Sequence, residues 1–131
     1  MSDLAKKGRE LFEDGYSCSE STWLALNQDL PREELDFGLK LAGGFSGGFC
    51  SGKVCGAISG AVMALGRHYG RIMGEERNEV LKEKVQMLME YVEGEYGSDM
   101  CHEMRPDEDY RPFCAQLVED LIKYTEQELI D

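Results

Sequence analysis

An uncharged stretch from Val54 to Gly66 constrains the fold of this chain more than any other feature. Within it Gly56, Gly60 and Ala64 recur every four residues, a spacing that places them on one face of a helix. Each glycine inside a helix costs about 1 kcal/mol relative to alanine, so these positions need a packing reason. The stretch is shorter than the roughly 20 residues of a membrane span. It therefore predicts a buried central helix whose small face lets another backbone approach closely.

The segment just before this helix is rich in glycine. Residues 43–52 read Gly-Gly-Phe-Ser-Gly-Gly-Phe-Cys-Ser-Gly. Glycine is used where the backbone needs a positive φ or passes close to another group. The composition therefore predicts a loop that leads into the central helix.

Helical signals dominate the rest of the chain, among them a capping box at Ser17 and Glu20 and a glycine stop at Gly97. We find no strand alternation, linker or repeat. The predicted class is therefore all-α, a single domain over residues 1–131 built as a bundle of five to six helices. The first predicted helix runs from a cap at Ser2 through about Asp14, the second has Cys18 in its first turn and carries Trp23, Leu24 and Leu26, and the third has Pro31 in its first turn, followed by Leu35, Leu39 and Ala42 at helical spacing. Three more helices are predicted from about Lys53 to Tyr69, from about Glu75 to Tyr96 and from Pro112 to about Ile130, with a short turn capped by Ser98.

Five cysteines carry the candidate chemistry: Cys18, Cys50, Cys55, Cys101 and Cys114. All but Cys50 fall in or beside a predicted helix start. The unpaired amides and the dipole of a helix N-terminus favour a thiolate, the form of cysteine that attacks disulfides and binds soft metals. We therefore hypothesise that helix starts bring four of the thiols to one site.

The spacing of the cysteines is unlike that of common redox and zinc motifs. No C-x-x-C pair is present, and the closest pair is Cys50 and Cys55. His102 directly follows Cys101 and could serve as a metal ligand or a base, although a surface histidine is the more frequent situation. Spacing alone leaves the kind of site open.

The net charge of −12 argues against nucleic acid or an anionic membrane as a partner. The first residues lack the apolar core of a signal peptide. We expect a cytoplasmic protein without membrane insertion, in a compartment where thiols stay reduced.

A resemblance follows from the order of the motifs. It is carried by Gly15-Tyr16-Ser17-Cys18, by Gly43-Gly44-Phe45-Ser46-Gly47-Gly48, by Cys55-Gly56-Ala57-Ile58-Ser59-Gly60 and by the separated Cys101 and Cys114. With these motifs the chain resembles the C_GCAxxG_C_C family of redox-active proteins over nearly its whole length. The resemblance implies that Cys18, Cys55, Cys101 and Cys114 are the functional thiols. Cys50 departs from the family pattern: it is either a resolving partner for Cys55 or a bystander, and its place in a loop favours the bystander.

Three functions remain open at this point. In the first, Cys55 is an activated nucleophile that forms a dithiol/disulfide couple with Cys18, Cys101 or Cys114. In the second, the same four cysteines ligate an iron–sulfur cluster or a metal such as zinc, for electron transfer or sensing. In the third, the protein is an acidic helical interaction module with structural cysteines.

Further expectations concern the surroundings of the site. Gly47, Gly48 and Gly56 are the glycines expected to let backbone pass close to Cys55 or to a cofactor beside it. A redox protein is the expected partner. The small face of the central helix could pack within the chain or across a homodimer.

Overall fold

The computed structural model of the protein describes residues 3–130. Within them seven α-helices and two short π-type turns form an all-α bundle without strands, which confirms the predicted class. The helices are α1 Asp3–Glu13, α2 Cys18–Leu26, α3 Arg32–Gly43, α4 Gly56–Tyr69, α5 Glu79–Tyr96, α6 Cys101–Met104 and α7 Arg111–Tyr124, and the turns are Gly48–Gly52 and Thr125–Leu129.

Local signals account for several helix ends. Ser17 and Glu20 form both hydrogen bonds of the predicted capping box at the start of α2. The side chain of Asn78 accepts a hydrogen bond from the amide of Val80 at the start of α5, and Gly97 ends that helix with a φ of 77°. Ser2, the predicted cap of α1, lies outside the described residues.

Three predicted helix starts are displaced. Pro31 is the N-cap of α3 rather than a first-turn residue, and α5 begins at Glu79, four residues after the predicted Glu75. The start of α4 is Gly56 instead of Lys53. Lys53 cannot begin that helix because its carbonyl accepts a hydrogen bond from the amide of Cys101, 2.7 Å away.

Helix α4 lies at the centre of the bundle, as its uncharged sequence predicts. Ala57, Ala61, Ala64 and Leu65 are fully buried, and the helix packs against α2, α5 and α7. Among the described residues no helix is long and apolar enough to cross a membrane.

The small face of α4 receives α2 from the same chain. A Cβ at Gly60 would lie 2.7 Å from the carbonyl oxygen of Ser19 and 2.9 Å from the Cβ of Thr22. Real Cβ atoms do not approach so closely, so only glycine allows this crossing. The packing requirement inferred from the sequence is met within the chain.

This crossing makes a testable distinction between two glycines of α4. Gly60→Ala should lower the free energy of unfolding by about 1–3 kcal/mol, because the backbone of α2 would have to move away. Gly66 has no atom within 4 Å of the position of an added Cβ, so Gly66→Ala should raise stability by up to about 1 kcal/mol through helix propensity. Urea denaturation followed by circular dichroism measures both. Equal effects of the two substitutions would contradict the proposed packing.

Candidate functional site

Four of the five cysteines line a single cavity of about 320 Å³. Cys18, Cys55, Cys101 and Cys114 all contribute to its wall, although they come from four different parts of the chain. Cys50 is not among the lining residues and is exposed on the glycine-rich segment. All five are free thiols. The fold therefore places these four cysteines on one cavity wall, and their use as a functional site stays a prediction.

The crossing of α2 and α4 brings Cys18 next to the start of α4. Cys18 is the first residue of α2, and Cys55 is the N-cap of α4. A Cβ on Gly56 would lie 2.5 Å from the Sγ of Cys18 and 2.8 Å from the carbonyl oxygen of Phe45. The absence of a side chain at Gly56 is thus what makes room for the thiol of Cys18.

Backbone pairing brings Cys55 and Cys101 together. The amide of Cys55 donates to the carbonyl of Asp99 at 2.9 Å, and the amide of Cys101 donates to the carbonyl of Lys53 at 2.7 Å. Val54 and Met100 form an isolated antiparallel bridge between these two bonds. Three residues before α4 are therefore held against the three residues that lead into α6.

The fourth thiol, Cys114, comes from the C-terminal part of the chain. Cys114 is in the first turn of α7, and its amide donates to the carbonyl of Tyr110 at 2.9 Å. Unlike Cys55, which is only 4% exposed, Cys114 is half-buried. It therefore lies at a more accessible part of the cavity wall.

The glycine-rich segment winds with a left-handed backbone beside the cavity. Gly47 and Gly48 have φ values of 59° and 70°, and the non-glycine residues Phe49 and Cys50 follow at 61° and 56°. A left-handed residue with a side chain costs about 1–2 kcal/mol, so the turn is strained at Phe49 and Cys50. The prediction that this segment needs positive φ angles is confirmed.

The three glycines singled out from the sequence surround the thiols in different ways. Gly47 lines the cavity itself. Gly48 lies against the backbone of Lys53, where a Cβ would collide. Gly56 makes room for Cys18. Gly48 and Gly56 therefore allow a close approach near the thiols, whereas Gly47 supplies a positive φ of 59°. Whether any of the three contacts a cofactor stays a prediction.

The expectation that helix starts lower the thiol pKa values is wrong for three of the four cysteines. Burial raises the pKa of Cys55 to about 12, although the amides of Ala57 and Ile58 act in the opposite direction. Burial also raises the pKa of Cys18, against the opposing effect of the Gly47 amide. Loss of hydration outweighs the helix terminus, so these thiols are protonated at neutral pH.

The pKa of Cys114 is also affected by cationic side chains. Burial raises its pKa to about 11, with further increases from the neighbouring Cys18 and Cys101, whereas Arg105 and Arg111 lower it. It is thus the one raised thiol on which cationic side chains act to favour the thiolate.

His102 takes no part in the cavity wall. Its ring is exposed, with Nδ1 2.5 Å from the carbonyl oxygen of Gly52 and Nε2 4.0 Å from a carboxylate oxygen of Glu103. His102 therefore fits the interpretation as a surface histidine better than the interpretation as a metal ligand.

The donor set around the cavity is soft but is not gathered for coordination. Within residues 3–130 no group of three or more His, Cys, Asp or Glu side chains is disposed to hold a metal ion. Four thiols on one cavity do fit the chemistry of a cluster or of zinc, but their sulfurs would have to move toward one another to bind it.

Two arginines of the site were missed in the sequence. Arg105 and Arg111 line the cavity together with Cys114, although no sequence motif pointed to them. A signal was available, because the two cations flank the acidic loop residues 107–109 and Arg111 begins the cysteine-bearing helix α7. Their approach to the cavity depends on the fold of the loop.

Exposure and pKa together predict the order in which the thiols react. At neutral pH Ellman's reagent should modify Cys50 first, and Cys55 at least about tenfold more slowly, since it is buried and protonated. The fast phase should disappear in Cys50→Ser and persist in Cys55→Ser. A Cys55 that reacts as fast as Cys50 would show that burial does not control this thiol.

The raised pKa of Cys55 also predicts an alkaline loss of stability. Below pH 9 this thiol is protonated in both the folded and the unfolded chain, whereas between its ordinary pKa of 9.0 and about 12 the unfolded chain loses the proton first. The free energy of unfolding of the reduced protein should therefore fall across this window. In Cys55→Ala it should fall less steeply, as measured by urea denaturation at a series of pH values. Identical slopes for the two proteins would refute the assignment.

Comparison with known proteins identifies one family. The family described as "Putative redox-active protein (C_GCAxxG_C_C)" matches residues 16–128, which include all five cysteines. Searches of curated proteins and of solved structures find no significant match. Because the match spans most of the chain, the protein belongs to the C_GCAxxG_C_C family of redox-active proteins.

Proposed function

We propose that the protein exchanges thiols and disulfides in the cavity formed by Cys18, Cys55, Cys101 and Cys114. The observation that carries this proposal is their shared cavity, with Cys50 outside it. Four thiols from separate elements would rarely line one small cavity if each served only to fill the core. The redox character of the family agrees with this use.

Cys18 and Cys101 are the central thiols of the group. The titration of Cys55 is influenced by both, and so is that of Cys114. Cys18 in turn is influenced by Cys101. Such influence requires the thiols to lie in the same region, so Cys18 and Cys101 are the thiols that we propose as disulfide partners.

Cys114 is the thiol proposed to meet an external disulfide. Like Cys18 it is half-buried, whereas Cys55 and Cys101 are buried. Unlike Cys18 it has two arginines that favour its thiolate and oppose the burial that raises its pKa to about 11. Its thiolate would attack the external disulfide R–S–S–R to form a mixed disulfide and release one thiolate RS⁻, which takes up a proton.

A second protein thiol then completes the exchange. Cys18 or Cys101, as a thiolate, attacks the Cys114 sulfur of the mixed disulfide and releases the second RS⁻. The external disulfide gains two electrons and two protons and becomes two thiols, while the protein dithiol becomes a disulfide. The reverse sequence would reduce the protein. Cys55 is proposed as a buried reserve thiol rather than as the activated nucleophile expected from the sequence.

A disulfide map of oxidised protein tests this proposal. After treatment of the reduced protein with diamide, peptide mapping by mass spectrometry should find disulfides only among Cys18, Cys55, Cys101 and Cys114. The matched control Cys50→Ser should lose the same number of thiols as the wild type. A double variant of the two central thiols, Cys18→Ser with Cys101→Ser, should lose the intramolecular disulfide. A principal disulfide that includes Cys50, or none at all, would contradict the proposal.

A four-thiolate cluster is the second candidate, favoured by the same cavity. Binding iron, sulfide or zinc would require deprotonation of thiols that burial keeps protonated. Arg105 and Arg111 would offset part of the added negative charge. Chemical analysis of anaerobically purified protein separates the candidates: stoichiometric metal with protected thiols supports the cluster, and metal-free protein with reactive cavity thiols supports the exchange.

A further inference from the structure

Resting on the proposed exchange, we infer that the external substrate is a small disulfide bearing carboxylate groups, and that Arg105 and Arg111 bind those carboxylates. The starting observation is the state of these arginines. Both line the cavity beside Cys114, and within residues 3–130 neither has a carboxylate at ion-pair distance.

The absence of ion pairs is notable because carboxylates are abundant. The chain carries 26 acidic against 14 basic residues, and Asp107, Glu108 and Asp109 stand between the two arginines in sequence. Within residues 3–130, Arg9, Arg32 and Arg67 are each paired with a carboxylate, Arg67 with Asp29 at 2.6 Å, whereas the exposed Arg71 and Arg77 are not. The guanidinium groups at the cavity are therefore available to an anion from outside.

Aromatic rings hold both guanidinium groups in place. Arg105 lies over the ring of Tyr110 at 4.2 Å from its centroid, and Arg111 lies over the ring of Phe12 at 4.7 Å. Arg111 also donates to the carbonyl of Phe12 at 3.0 Å. A guanidinium has five N–H donors, so most donors of each remain free. Positioned arginines with free donors bind carboxylates in the bidentate manner.

The size of the cavity indicates a small molecule. Its volume of about 320 Å³ is at the lower end of the roughly 300–1,000 Å³ typical of small-molecule sites. A disulfide on a protein surface would have to enter the same space with its own backbone. The cavity thus favours a low-molecular-weight disulfide over the redox protein expected as partner from the sequence.

One acidic side chain of the cavity wall bears on which substrates would fit the site. Glu20 also lines the cavity and accepts a hydrogen bond from the amide of Ser17 at 2.9 Å. Within residues 3–130 its second carboxylate oxygen accepts no hydrogen bond, which leaves a negative charge of the lining available to an ammonium group. The charged lining residues therefore match a thiol compound of the amino-acid or small-peptide type, which carries carboxylates and an ammonium group.

The test compares disulfides of different charge. Oxidised glutathione is anionic, bis(2-hydroxyethyl) disulfide is neutral and cystamine is cationic. Oxidation of the reduced full-length protein by each should be followed as loss of free thiols, with Cys50→Ser as the common background. We expect the anionic probe to react at least tenfold faster than the neutral one and the cationic probe to be slowest.

Arginine variants then test whether Arg105 causes the preference for the anionic disulfide. In Arg105→Gln the rate ratio of anionic to neutral probe should fall at least fivefold, whereas Arg105→Lys, which keeps the charge, should retain more of it. The matched control is Arg32→Gln, which removes the same charge from the surface pair with Asp36 and should leave the ratio unchanged. Circular dichroism checks that each variant is folded.

Binding of S-methylglutathione, which cannot exchange, gives a readout independent of redox chemistry. Calorimetry should detect it with the wild type and find weaker binding to Arg105→Gln. If all probes oxidise the cavity thiols equally and the variants change nothing, the anion site is refuted while the exchange stands. If no probe oxidises them, the proposed function fails, and the inference about its substrate fails with it.

Discussion

The close crossing of α2 and α4 is the contact on which the rest of the site depends. Gly60 allows the backbone of Ser19 to approach α4, and Gly56 leaves room for the sulfur of Cys18. A side chain at either position would separate the helices by the width of a methyl group. Because Cys18 begins one helix and Cys55 caps the other, the packing of two glycines determines the proximity of two thiols.

A second constraint comes from the backbone pairing before α4. The hydrogen bonds from Cys55 to Asp99 and from Cys101 to Lys53 hold two segments that are distant in sequence. Because Lys53 and Val54 pair with the segment before α6, α4 begins only at Gly56. Cys55 is therefore the N-cap of α4, and the residues before it lie beside α6. The central helix and the third thiol are therefore positioned by the same short pairing.

Burial, rather than the helix terminus, governs the protonation of these thiols. The free energy lost when a thiolate is removed from water exceeds the free energy gained from the amides at one helix start, and the pKa of Cys55 is therefore raised. Arg105 and Arg111 favour the thiolate of Cys114, but burial still raises the pKa of that thiol to about 11. Cys114 is therefore half-buried beside positive charge, in a protein whose net charge is −12.

The sequence by itself determined the helical class, the central position of α4 and the need for a close approach at Gly56 and Gly60, because helix periodicity and the cost of glycine are local properties. Only the tertiary structure decided that four cysteines share a cavity, that burial raises the pKa of Cys55 and that Arg105 and Arg111 line the cavity together with Cys114. These outcomes depend on contacts between residues far apart in the chain. Burial and charge at a thiol are set by such neighbours, and their arrangement exists only once the helices have packed.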